Sequence, residues 1–284
     1  MHPIKSHPVC ALPASIEILP REIPTSEQLR ALLPSGTLVY LADVGAPRTN
    51  AEMLAAAQRI QEAGCIPVPH LAARRIKSRE ALEKRIKELA ELAGVNNFLL
   101  VGGGVATPLG PYKSTMDILE TGVFDRFGIK DIAVAGHPEE SPDFTEAVAI
   151  EALKQKQTFA ERTGARLRIV TQFSFDPARV LKWAESLAKM GIDLPVHIGV
   201  AGPTRFATLT RYATACGVGN SLSMLTKSAG NIMSLATGYS SETFVLPIEK
   251  ELKTLVRPTI AQIHVFPFGG LENTSSWLRR RGSW

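Results

Sequence analysis

Side chains capable of acid–base chemistry stand inside or just after short apolar segments of this sequence. Glu17 lies within the apolar segment 14–19, Asp43 ends a second segment, and His70 and His137 follow two others. Carboxylates and imidazoles are common general acids and bases, and they act when several converge on one substrate. The pattern therefore indicates an enzyme site built at one end of a set of strands.

Glu17 has the best defined candidate role in this set. It alternates with Ser15 and Leu19, so its side chain is predicted to point into the protein interior. Burial disfavours the charged form of a carboxyl group and is expected to raise the pKa of Glu17. A carboxyl group with a raised pKa suits a general acid near neutral pH. From spacing alone, an outward, solvated glutamate is an equal alternative.

The histidines and the serines support fewer kinds of chemistry. His70 and His137 either bind loop groups or act in a site, but they form no HxH or HxxxH pair. The sequence therefore predicts no metal site. No GxSxG motif is present, which argues against a serine hydrolase of the α/β class. Thr171 and Gln172 end another apolar segment and add polar groups at the same end of the predicted strands.

Three consecutive glycines, Gly102, Gly103 and Gly104, follow the apolar segment 97–102. Without a Cβ, such a turn lets another molecule approach the backbone closely. The pattern is neither GxGxxG nor GxxxxGK[ST], so it does not match the two common nucleotide-binding loops. The three glycines could form either a surface for a flat ring or a turn that is only flexible.

Composition and charge exclude several classes of protein. The chain has 284 residues and a net charge of +5, and part of that charge lies in a basic C-terminal tail at about 277–284. No basic stripe interleaves with aromatic residues, so nucleic-acid binding is not expected. No segment is long and apolar enough to span a membrane. Cys10, Cys65 and Cys216 form no ligand spacing, which favours free thiols in a reducing cytoplasm.

Eight strand-like segments alternate with helical ones, and they must position these side chains. The predicted strands are 14–19, 37–43, 65–69, 97–102, 131–136, 166–172, 194–200 and 261–267, and clear helices are predicted at 50–64, 78–94 and 176–191. This alternation predicts an α/β fold, a (β/α)8 TIM barrel in a single domain over 1–284. Two or three extra helices are expected between strands seven and eight, one of them near 221–237. An open doubly wound sheet is the competing fold, but no glycine-rich turn follows the first strand.

Five motifs, in order, resemble the 5,10-methylenetetrahydrofolate reductase family. They are "SIEILPRE", "PHLAARRIKSREALEKRI", "VAGHPEESPD", "VTQFSFD" and "GIDLPVHIGVAGPTRFATLTRYA". The resemblance covers nearly the whole chain and implies an eight-stranded barrel that reduces the methylene bridge of folate to a methyl group. It implies that Glu17 is the general acid and that Gln172 binds the pterin. It also implies that Phe206 packs in the site, with Thr171 as a neighbouring substrate contact.

The same resemblance implies a cofactor site with several departures. FAD is the family's usual cofactor, with NADH or NADPH as reductant, and His70, Ala135 and Lys156 match its flavin contacts. Where the family has an Arg-Gly-Asp-type turn after strand four, this chain has the three glycines. His137 stands where the family has a tyrosine. Two routes stay open: FAD bound through a rebuilt site, or direct hydride transfer from NAD(P)H to folate.

Two other functions are consistent with a folate-binding barrel. One is a folate-dependent methyltransferase or demethylase, and the other is a regulatory or folate-sequestering protein without turnover. The retained Glu17 favours the reductase, because proton donation to nitrogen belongs to the opening of the bridge. The family commonly forms oligomers, so a homo-oligomer is also consistent with the resemblance.

Overall fold

The protein is a closed barrel of parallel strands surrounded by helices. The computed structural model describes residues 11–43, 50–139, 144–215, 239–255 and 258–284. The strands are Ala14–Ile18 (β1), Leu38–Leu41 (β2), Ile66–Ala72 (β3), Asn97–Val101 (β4), Asp131–Gly136 (β5), Arg166–Phe173 (β6), Val196–Ala201 (β7) and Ile260–Phe266 (β8). Each strand pairs with the next in the chain, and β8 pairs with β1 to close the ring. The predicted eight-stranded barrel is therefore confirmed.

Helices follow the strands and cover the outside of the barrel. The described helices are Ser26–Leu32 (α1), Asn50–Glu62 (α2), Arg79–Ala93 (α3), Thr115–Leu119 (α4), Val123–Arg126 (α5), Glu146–Thr163 (α6), Pro177–Lys189 (α7), Phe206–Ala215 (α8), Glu242–Leu252 (α9) and Leu271–Arg281 (α10). Short 3-10 turns follow β1 at Pro20–Glu22 and β3 at Ala73–Arg75. Between β7 and β8 lie α8 and α9, whereas the helix predicted near 221–237 falls outside the described residues. No helix in the described part of the chain is long and apolar enough to cross a membrane.

Local signals in the sequence explain where the predicted helices begin and end. The Ser78 hydroxyl accepts a hydrogen bond from the Ala81 amide, and Asp176 caps α7 in the same way through the Arg179 amide. These caps satisfy amides that a first helical turn leaves without partners. Gly94 ends α3 with a φ of 60°, a left-handed conformation that glycine adopts without steric cost.

The interior of the barrel is apolar in its middle and polar towards both ends. A buried ring of Tyr40, Val68, Leu99, Ala133 and Val170 fills the middle. On the amino-terminal side, the buried Arg168 donates hydrogen bonds to the Tyr40 hydroxyl at 2.9 Å and to Asn97 Oδ1 at 3.2 Å. A buried guanidinium is stable only where such partners replace water. This layer closes the bottom of the barrel and leaves the carboxyl ends of the strands for a site.

An irregular register between β6 and β7 sets the position of Gln172. The pairing shifts between Val170 and Phe173, and the Gly199 amide donates to the Thr171 hydroxyl at 2.8 Å. A Cβ on Gly199 would lie 2.4 Å from the carbonyl carbon of Gln172. Only glycine permits this close approach of two backbones. The irregularity therefore fixes the end of β6 at the barrel mouth.

The basic C-terminal segment is packed against the amino-terminal end of the barrel. Arg281 pairs with Glu249 at 2.9 Å, and their side chains are only 5% and 3% exposed. Glu249 also accepts a hydrogen bond from the Leu12 amide at 2.8 Å, while the Trp284 indole donates to the Ala14 carbonyl at 3.2 Å. The segment that the sequence indicates as a basic tail is therefore packed against the start of β1.

Removing one partner of this buried pair should destabilise the fold. Arg281→Met leaves the Glu249 carboxylate buried with one amide donor, and we expect a loss of about 3 kcal/mol in the free energy of unfolding. Urea denaturation at neutral pH measures the loss. Arg280→Met is the matched control, because Arg280 is exposed on the same helix. Equal stabilities for the two variants would contradict a structural role for the Arg281–Glu249 pair.

Candidate functional site

A cavity of about 720 Å3 opens at the carboxyl ends of the strands. At the strand ends it is lined by Glu17, Ala42, Gln172 and Phe266. The rest of its wall comes from the connections after β1 and β8, from α1 and α10, and from Tyr212 on α8. The cavity thus extends outward along the β1–β8 seam. This is the end of a (β/α)8 barrel where active sites are built.

Glu17 lies at the bottom of this cavity between two histidines. Its Oε2 atom is 3.3 Å from Nε2 of His70 and 3.4 Å from Nε2 of His264. His264 is fully buried, and its Nδ1 lies 3.0 Å from the Ser15 hydroxyl. Ser15 and Glu17 are two residues apart on β1, so both side chains point inward. The polar chain from Ser15 through His264 to Glu17 therefore crosses the closing seam of the barrel.

The two histidines reverse the effect that burial has on Glu17. Burial alone would raise the pKa of its carboxyl group, but the positive charge and hydrogen bonds of His70 and His264 lower that pKa to about 2. The expectation of a raised pKa is therefore wrong for the ligand-free protein. It failed because the sequence gives no distance between Glu17 and side chains 53 and 247 positions away. An ionised Glu17 is paired with the N–H groups of both imidazoles when each carries its proton on Nε2.

His70 is held in place from outside the barrel. The Arg85 guanidinium donates to the His70 carbonyl at 3.3 Å and pairs with the Asp43 carboxylate at 3.2 Å. Arg75 approaches the same carboxylate at 3.8 Å. Asp43, which ends the predicted second strand, is therefore a brace between the ends of β2 and β3. Its carboxylate is paired with arginines and is not part of the acid–base group around Glu17.

Gln172 and Thr171 are neighbours in the chain with different surroundings. Gln172 lines the cavity together with Glu17, so its amide group is placed where it can bind a ligand. The Thr171 hydroxyl is buried, donates to the Gln172 carbonyl at 2.9 Å and accepts from the Gly199 amide. Its hydrogen bonds are therefore used in the β6–β7 contact. The role of Thr171 as a substrate contact stays a prediction.

An aromatic stack forms one wall of the cavity. The rings of Tyr212 and Phe268 are stacked with centroids 4.5 Å apart, and Phe266 stacks on Phe268 at 6.2 Å. Phe268 has a φ of +50°, a strained conformation for a residue with a side chain. Phe173 packs edge-on against Phe268 at 5.1 Å. The stack presents a flat apolar surface beside Glu17 and Gln172 that suits a planar ring.

Phe206 begins α8 but does not line this cavity. It is half-buried at the first position of the helix, whereas Tyr212, two turns later, reaches the cavity wall. The role that the resemblance gives to Phe206 stays a prediction. The aromatic groups that the structure places in the wall are Tyr212, Phe266 and Phe268.

The predicted cofactor residues lie over another part of the barrel mouth. None of His70, Gly102, Gly103, Gly104, Ala135, His137 or Lys156 lines the large cavity. The glycine turn is held by Arg74, whose amide donates to the Gly102 carbonyl at 3.0 Å and whose guanidinium binds the carbonyls of Val105 and Lys113. Gly103 has a φ of 88°, which requires glycine at this turn. His70 is turned towards Glu17.

The half-buried His137 at the end of β5 lies near the buried Lys156 of α6. Burial and the nearby charge of Lys156 lower the pKa of His137 to about 4, so this imidazole is neutral at pH 7. Burial lowers the pKa of Lys156 to about 8. The Phe144 ring lies edge-on to His137 at 4.8 Å. Lys156 is therefore a buried cation near the end of β5, where the Arg179 guanidinium also donates to the Pro138 carbonyl at 3.0 Å.

The sequence reading missed His264 and Phe268, both on or after β8. Gln262, His264 and Phe266 alternate along the strand, and this period of two is the signal that assigns His264 to the same inner face as Phe266. No comparable signal in the sequence marks Phe268. Its position depends on its own positive φ and on the positive φ of the next residue, Gly269, which is 82°.

The ionised state of Glu17 is open to direct measurement. We expect the carboxyl carbon of Glu17 to stay in its ionised form down to about pH 3, well below the range where exposed glutamates titrate. Carbon NMR of protein labelled at glutamate carboxyl carbons follows the titration, and the Glu17→Gln variant assigns the resonance. A midpoint above pH 5 would contradict the arrangement of His70 and His264 around this carboxylate.

Comparison with known proteins identifies the family of this chain. The family model described as methylenetetrahydrofolate reductase matches residues 27–265. Solved structures similar to this chain include a dihydropteroate synthase from Thermus thermophilus, at 11% identity and a TM-score of 0.49 over 96% of this chain and 94% of that one. A sugar phosphate isomerase/epimerase from Parabacteroides distasonis is 11% identical, with a TM-score of 0.44 over 94% and 98% of the two chains. These structural similarities are too weak to assign a function, whereas the family match covers most of the sequence. The chain therefore belongs to the methylenetetrahydrofolate reductase family.

Proposed function

We propose that this protein reduces 5,10-methylenetetrahydrofolate to 5-methyltetrahydrofolate with hydride from NADH or NADPH. One observation carries the proposal: the Glu17 carboxylate and the Gln172 amide lie together in a cavity beside a flat aromatic wall. A reduced pterin offers a planar ring with several donors and acceptors on its edge. Gln172 binds that edge, and the rings of Tyr212 and Phe268 support the benzoyl ring of the folate.

Glu17, His70 and His264 transfer the proton that the reaction consumes. Opening the methylene bridge requires a proton on one bridge nitrogen, and it leaves a cationic iminium on the other. In the ligand-free site the Glu17 carboxylate is ionised, so the group formed by Glu17, His70 and His264 has to take up a proton from solvent when the folate binds. We infer that this group supplies the proton and that the Glu17 carboxylate then stabilises the iminium cation. Hydride addition to the methylene carbon gives the methyl group.

The described residues at the ends of β3–β5 do not match the needs of FAD. A dinucleotide pyrophosphate is anionic and is usually bound by several cations or amides. Here Arg74 binds two carbonyl groups, Arg75 and Arg85 pair with Asp43, and His70 faces Glu17. Lys156, Arg179 and the amides of Gly103 and Gly104 are the other described groups at these strand ends that could meet an anion. The large cavity also does not extend to these residues. We therefore propose that the uncharged reduced nicotinamide ring enters the cavity and passes hydride directly to the folate bridge, while the pyrophosphate of the dinucleotide stays outside the acidic cavity.

A folate-dependent methyltransferase or demethylase on this barrel makes a different prediction. Such an enzyme needs no hydride donor, and it would not consume NADH or NADPH in the presence of methylene-folate. A folate-sequestering protein would bind the ligand tightly without any turnover. The Glu17–His70–His264 group suits either enzyme, because both break a bond to a folate nitrogen, so the consumption of NADH or NADPH is what separates them.

The test is the oxidation of NADH or NADPH by purified protein with and without 5,10-methylenetetrahydrofolate. We expect oxidation that depends on the folate, and a visible absorption spectrum of the same sample that shows no flavin. Glu17→Gln removes the carboxylate but keeps its shape, and the rate should fall by about 10²–10⁴. Folate binding should stay within a few-fold, because Gln172 and the aromatic wall are unchanged.

Glu91→Gln is the matched control for this variant, since Glu91 is exposed on α3 far from the cavity. Its rate should equal that of the parent. Two results would count against the proposal: no folate-dependent oxidation in the parent even with added FAD, or a Glu17→Gln rate within a few-fold of the parent.

A further inference from the structure

The cavity is acidic although the protein is basic. The chain carries a net charge of +5, yet the described walls of the cavity hold the carboxylates of Glu17, Glu22 and Glu272 and no lysine, arginine or histidine. Glu22 lies on the turn after β1 and Glu272 in the first turn of α10, so both face the outer part of the cavity. Arg21 approaches Glu22 only at 3.7 Å and is itself 60% exposed. An anionic group in this arm of the cavity would be repelled.

A cation lies on α8 next to the aromatic wall. The guanidinium carbon of Arg211 lies 5.2 Å from the centre of the Tyr212 ring, and Tyr212 both lines the cavity and stacks on Phe268. Arg211 is exposed and has no ion-pair partner among the described residues. A guanidinium that rests on an aromatic ring is partly ordered before a ligand binds. It is therefore ready to bind a carboxylate beside a ring stacked on the same wall.

We propose that Arg211 binds the anionic glutamyl end of the folate, and that Glu22 and Glu272 keep that end out of the α1–α10 arm. The inference rests on the proposed function, since it assigns a direction to the ligand of the same site. With the pterin at Glu17 and Gln172, the benzoyl ring crosses the Tyr212–Phe268 wall and the carboxylates reach Arg211. Arg211 is thus a residue that determines the preference for charged folate tails.

The test compares methylene-folate carrying one glutamate with methylene-folate carrying three. At a saturating concentration of NADH or NADPH, we expect Arg211→Gln to raise the KM for the triglutamate form about threefold to tenfold, and that for the monoglutamate less. The rise in KM should exceed the fall in kcat, shrink at high salt and be partly restored by Arg211→Lys. Arg280→Gln, on the far end of α10, is the control that removes the same charge elsewhere.

A second variant tests the acidic arm. Neutralising both carboxylates with Glu22→Gln and Glu272→Gln should lower the KM for the triglutamate form about threefold at low salt, whereas Glu91→Gln should leave it unchanged. Unchanged folate KM values in Arg211→Gln at both tail lengths would overturn the proposal, as would a rise confined to the KM of the nicotinamide dinucleotide. These outcomes leave folate turnover intact. A parent protein that neither binds nor reduces methylene-folate would instead refute the proposed function.

Discussion

A negative charge inside a closed barrel has to be balanced by groups of the barrel itself, and Glu17 imposes that requirement here. Its carboxylate lies between the imidazoles of His70 and His264, and His264 is in turn bonded to Ser15. These side chains come from β1, β3 and β8, so the balance exists only when the ring of strands is closed. The ionised state of Glu17 therefore depends on closure of the barrel.

The β1–β8 seam also determines where the large cavity lies. The connections after these two strands diverge and leave the cavity between α1 and α10, while the strained backbone at Phe268 turns an aromatic ring into its wall. Strain of this kind persists only where surrounding packing holds it, and Phe173, Phe266 and Tyr212 provide that packing. The Glu17–His70–His264 group and the flat surface are thus positioned by the same part of the fold.

Much of the fold could be predicted from the sequence because its signals are local. Apolar runs marked the strands, and Ser78, Asp176 and Gly94 marked helix ends through hydrogen bonds to their nearest neighbours. The inward direction of Glu17 followed from alternation along one strand. The direction of the pKa shift of Glu17 could not be predicted in this way. It depends on His70 and His264, which approach Glu17 only in the folded barrel. The burial of Arg281 could not be predicted for the same reason, because its partner Glu249 lies on another helix.

The account depends most on the claim that the nicotinamide and the folate meet in a single cavity. The direct test uses NADH or NADPH carrying deuterium in the transferable position of the nicotinamide, with analysis of the methyl group of the product by mass spectrometry. Direct transfer predicts one deuterium in each methyl group. A product without deuterium would contradict the account, because it would mean that the hydride first passes to a carrier whose hydrogen exchanges with water.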